Sequence, residues 1–81
     1  MGRVLTSGQF SVFVYAEWGQ PHHLPHCDVR WQDGRSTQVA LPTLMVIVGP
    51  PLSRTARQLL EDHLIDLVEA WNRNNPKRAI V

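Results

Sequence analysis

Cys27-Asp28-Val29-Arg30-Trp31-Gln32-Asp33-Gly34-Arg35-Ser36-Thr37-Gln38-Val39-Ala40-Leu41 reads as two strands joined by a turn. The length of the turn decides which side chains share a face. A two-residue Asp33-Gly34 turn would set Val29 opposite Gln38 and Asp28 opposite Val39. Polar and apolar groups would then mix on both faces, which a half-buried hairpin does not tolerate. A three-residue loop, Gln32-Asp33-Gly34, restores the pattern, with Gly34 in the left-handed conformation that a G1 bulge requires. Asp28 then lies across from Gln38, and Arg30 across from Ser36. Cys27, Val29, Trp31, Thr37, Val39 and Leu41 line the core face; His26, Asp28, Arg30, Ser36 and Gln38 line an open, polar one.

Outward from the hairpin, Phe10–Ala16 is rich in β-branched and aromatic residues and reads as an earlier strand. Its two faces are both apolar, with Phe13 and Tyr15 opposite Phe10, Val12 and Val14. Leu44–Val48 is a further strand, closed by Gly49-Pro50-Pro51. Beyond the prolines, Ala56, Leu59, Leu60, His63, Leu64, Leu67, Val68, Ala70 and Trp71 form one stripe at about 100° per residue. Ser53 is the expected N-cap and Asn74-Asn75-Pro76 the stop. Ile65 alone among the apolar helical residues points off the stripe.

A helix this apolar must cover a sheet. The expected fold is therefore α+β: a mainly antiparallel four-stranded sheet with one long C-terminal helix, from about residue 53 to 74, packed on one face. Residues 1–81 form one domain, since a chain this short buries only about 60% of its unfolded surface. Residues 1–8 and 77–81 are expected as flexible ends. Trp18, Trp31 and Trp71 are expected as core anchors, and His63 as a core histidine bonded to a loop carbonyl.

Eight Lys+Arg face seven Asp+Glu, a net charge of +1. A nucleic-acid partner is not favoured by so balanced a surface. The one cysteine cannot form an intrachain disulfide, and no apolar leader opens the chain. The run Leu44–Val48 is too short to cross a bilayer. A cytoplasmic protein without a membrane association is expected.

The candidate chemistry gathers in Pro21-His22-His23-Leu24-Pro25-His26-Cys27-Asp28-Val29, where imidazole, thiolate and carboxylate crowd together. His26 and Asp28 stand two apart on one strand face, close enough to share a proton or a metal. They are equally well read as polar residues on a solvated face. His22, His23, His26 and Asp28 could hold a divalent metal, but the spacing matches no established ligand pattern, so no cofactor is expected. Cys27 reads as a small buried hydrophobe rather than a nucleophile.

These residues also carry a resemblance. His23, Pro25, His26 and Val29, then Leu44, Ile47 and Gly49, then His63, Leu67, Glu69, Ala70, Trp71 and Asn72 are similar to the motifs of the small bacterial domain of unknown function numbered 4160. The resemblance covers roughly residues 9 to 76. Asp28 departs from it, standing where that family has a second histidine, so a role needing two imidazoles would fall to the carboxylate. Members of the family are often encoded beside another small protein, which implies a toxin–antitoxin-like pairing.

Three functional classes follow. The first is a protein-interaction module of a two-gene system, using Phe13, Tyr15, His26, Asp28, Arg30 and Gln38, or a strand edge, to bind its mate. The second is a small ribonuclease-like enzyme, with His26 as general acid or base, Asp28 orienting it and Arg30 holding phosphate. The third is a metal-binding domain on the histidine cluster. A protein partner or a homodimer over Phe13 and Tyr15 is expected, because one helix covers only one face of a sheet.

Overall fold

The hairpin is built as its side-chain pattern requires. In the computed structural model, which describes residues 3–16 and 24–80, Asp28 pairs with Gln38, Arg30 with Ser36 and Val29 with Thr37. Gln32-Asp33-Gly34 is the loop: Trp31 N donates to Arg35 O at 2.9 Å, and Gly34 takes φ 90°. Asp33 accepts from both the Arg35 amide and its Nε, at 2.9 and 2.7 Å. These bonds hold its carboxyl below the usual aspartate range and close the turn.

Around the hairpin runs an antiparallel meander, β1 (Arg3–Thr6), β2 (Phe10–Phe13), β3 (His26–Trp31), β4 (Ser36–Ala40) and β5 (Val46–Val48), with strands adjacent in chain order. The sheet thus has five strands, not four. The additional strand is β1, placed where a loose end was expected. It is four residues long, and a register shift between Arg3 and Leu5 breaks the two-residue period. Val4 and Leu5, neighbours in sequence, both pack on the core. Without alternation, so short a strand becomes visible only once β2 offers it an edge.

β5 is shorter than the apolar run Leu44–Val48. Leu44 adopts φ 65° and donates its amide to Ala40 O at 2.8 Å, so it belongs to the turn. A left-handed leucine costs about 1–2 kcal/mol. Burial of its side chain to 4% exposure offsets that strain.

The helical stripe is also divided. α1 (Arg54–Asp62) and α2 (Leu64–Asn74) meet at His63, whose φ −114° and ψ 22° interrupt the helical backbone. No proline or glycine marks the break, and the stripe runs through it: Ala56, Leu60, Leu67, Ala70 and Trp71 are all buried. Ser53 caps α1 as expected, its Oγ accepting from Ala56 N at 3.1 Å. His63 is half-buried, and its Nδ1 donates toward Asp66 Oδ2 at 3.3 Å rather than to a loop carbonyl. It is a junction residue.

α2 packs across β1 and β3, so the helices cover the face carrying Val12, Val14, Cys27, Val29 and Val39, all fully buried. Trp71 is fully buried too, and Trp31 is half-buried at the core margin; Trp18 lies outside the described residues. As far as Ile80, the C-terminal segment is hydrogen-bonded back to α2. It turns through a 3-10 helix, Pro76–Arg78, and Trp71 Nε1 donates to Arg78 O at 3.0 Å. Asn72 then bonds both the amide and the carbonyl of Ile80. The Trp71 indole and the Asn72 side-chain amide thus do what the polar tail sequence does not announce.

Candidate functional site

β2 places Phe13 opposite Asp28, and Asp28 is in turn opposite Gln38, which faces Val48 on β5. Strand alternation sends Val12 and Val14 into the core and leaves Phe13 and Tyr15 on the face away from the helices. There the two rings stack, 5.8 Å apart and within 3° of parallel. Arg30, opposite Ser11 and diagonal to Phe13, lays its guanidinium 5.0 Å from the centre of the Phe13 ring. Phe13, Tyr15, Asp28 and Gln38 are half-buried, and Arg30 is exposed. Five of the six expected binding residues therefore share one surface. Beside Arg30 lies a shallow depression of about 370 Å³, bordered by Ser7, Gly8, Ser11 and Gln32.

His26 is the exception. It was expected beside Asp28 and Arg30 but is buried to 5% exposure, its ring 5.7 Å from that of Trp71 on α2. Its Nδ1 lies 2.8 Å from Leu24 O; a carbonyl only accepts, so Nδ1 carries a proton there. The register was deduced correctly, so the cause lies elsewhere. His26 is the first residue of β3, at the end of the sheet, and the end of α2 reaches that point. Asn75, which caps α2, donates to Tyr15 O at 3.0 Å in the same region. Alternation sets how a side chain leaves its strand, not what closes over it at the strand's end.

The trio His26, Asp28, Arg30 is consequently not assembled on the open face. The metal candidates His22 and His23 lie outside the described residues. Among the described residues no three His, Cys, Asp or Glu side chains come together in a way that could hold a metal ion. No helix among them is long and apolar enough to cross a membrane.

Cys27 is fully buried, and its thiol is pushed up to about 12, first by burial and then by the charge of Asp28. The thiolate, which is the nucleophile, is thereby suppressed at neutral pH. The folded chain holds this proton more tightly than the unfolded one. The thiol's contribution to stability is therefore complete below the unfolded value near pH 9 and declines as pH rises toward 12. Relative to a Cys27→Val variant, the natural protein should lose about 1 kcal/mol between about pH 8 and pH 10 in urea titrations. A constant difference across that range would mean that the thiol is not held protonated by the fold.

The residue pattern did not reveal one polar element. Thr37, fully buried, accepts from Trp31 Nε1 at 2.9 Å and donates to Pro50 O at 2.7 Å. It ties the hairpin to the exit of β5. A threonine on the apolar face of a strand was the available sign, since a buried hydroxyl needs partners. No protein-family model, curated protein or solved structure matches this chain.

Proposed function

We propose that this protein is an interaction module that binds a protein mate on the open sheet face formed by Phe13, Tyr15, Asp28, Arg30 and Gln38. The observation that carries this reading is the stacked Phe13–Tyr15 pair with Arg30 over it, on the face away from both helices. Aromatic and arginine side chains are the residues that concentrate binding energy at protein interfaces. The guanidinium is already oriented by the ring beneath it, which lowers the entropy lost when it bonds a partner carboxylate or carbonyl. The depression beside it gives such a group a place to enter.

The resemblance to the bacterial domain family numbered 4160 supports placing the chain in a two-gene, toxin–antitoxin-like system in the cytoplasm. The near-neutral charge also fits a protein mate better than a nucleic acid.

The test is affinity capture of the tagged protein from its host, comparing the natural chain with Phe13→Ala and Arg30→Glu. Each variant should lose the captured mate by about tenfold or more, the loss of about 1.4 kcal/mol or more expected at an interface anchor. An identical capture profile for all three, with the variants folded by circular dichroism, would refute the assignment.

A further inference from the structure

β5 is an edge strand, and nothing on its outer side pairs with it among the described residues. Such edges normally carry a charge that discourages pairing with another chain. This one does not. Between Arg35 and Arg54 the sequence contains no Lys, Arg, Asp, Glu or His, so β4, β5 and their connections are wholly uncharged. Along the edge, Met45, Ile47 and Val48 are 67%, 46% and 58% exposed. The opposite edge strand, by contrast, begins with Arg3.

The edge sequence is also its own complement. Val46-Ile47-Val48 reads the same in both directions. An antiparallel twofold pairing centred on Ile47 sets Ile47 against its counterpart in the second copy and each Val46 against a Val48. A twofold interface demands such self-complementarity, because the same patch must serve both partners. With no charge on the edge and a net charge of only +1 per chain, the two copies do not repel.

We infer that β5 pairs edge to edge with β5 of a second copy of this chain, joining the two five-stranded sheets into one continuous sheet. The Leu41–Met45 turn and Pro50-Pro51 limit the pairing to a few residues on each side. The dimer is therefore small in area and readily reversible. This dimer is independent of the proposed mate, which uses the open face rather than the edge.

Sedimentation equilibrium over roughly 1 μM to 1 mM, the range in which interfaces of this size dissociate, should show the mass rising from one chain to two. Ile47→Lys should shift that transition upward by about tenfold or more, since two ammonium groups would face each other across the axis. Ile47 is exposed, so the melting temperature should hold. Ile47→Cys gives a second readout: residues opposite each other across a strand pair are within disulfide reach, so it should cross-link to itself under mild oxidation. Ile65→Cys, equally accessible on α2, should cross-link much more slowly, and the buried Cys27 should not interfere. A chain that stays monomeric throughout overturns the inference. So does a dimer that withstands Ile47→Lys, or one in which cysteine at 47 couples no faster than at 65.

Discussion

Replacing Trp71 with alanine should sharply lower the stability of the fold, by about 3–5 kcal/mol. The indole is the largest fully buried side chain, packed between the core strands and His26. Deleting such a group removes its transfer free energy and leaves a cavity, together about 3–5 kcal/mol. The Arg78 carbonyl also loses the indole N–H that holds the C-terminal segment in place. Domains are stabilised by about 0.05–0.15 kcal/mol per residue, so a chain of 81 residues has about 4–12 kcal/mol in all. The change therefore removes about a quarter of that total or more. Urea denaturation followed by far-ultraviolet circular dichroism should show the midpoint falling sharply or a folded baseline that is absent. A loss under about 1 kcal/mol would mean that α2 does not pack on the sheet through this residue.

Gly49→Ala should be nearly as damaging, although the residue is exposed. Gly49 holds φ 102°, a region that side chains rarely occupy, and it ends β5 directly against β4. A β-carbon there would collide with the backbone oxygen of Ser36 and lie 2.9 Å from Thr37 Cα. Both neighbours are backbone atoms of a paired strand, which cannot step aside without opening the ladder. Conformational strain of about 1–2 kcal/mol therefore adds to a steric clash, for about 3 kcal/mol in total. Gly34→Ala serves as the internal comparison. Gly34 also has positive φ, at 90°, but a β-carbon there would meet nothing within 4 Å. It should cost only the strain, about 1 kcal/mol. Equal losses at the two positions would show that the approach of Gly49 to β4 is not as tight as described.

The hairpin was legible because two independent constraints met in it. The glycine set which loop lengths were possible, and the burial pattern chose among them. The observed Asp28–Gln38 and Arg30–Ser36 pairs follow from that choice. The open-face stack was legible for a similar reason, since Phe13 and Tyr15 alternate with Val12 and Val14. β1 was not legible. Its adjacent Val4 and Leu5 share the core only because a bulge breaks the alternation. The division of the helix at His63 was equally hidden, because the apolar stripe continues through it without a breaking residue.

Residue order settled what is periodic and local: strand faces, the hairpin register, the Ser53 cap and the helical stripe. Each depends on neighbours within a few positions, where spacing translates directly into direction. The surroundings of His26 depend instead on Trp71, distant in the chain, which α2 brings to within 5.7 Å of its ring. The same holds for Gly49 against Ser36 and for the tail pinned through Asn72. Such contacts form between elements that are already built, and their energies arise from packing and desolvation at particular distances. A one-dimensional pattern carries no measure of those distances, so the fate of His26 was decided in three dimensions.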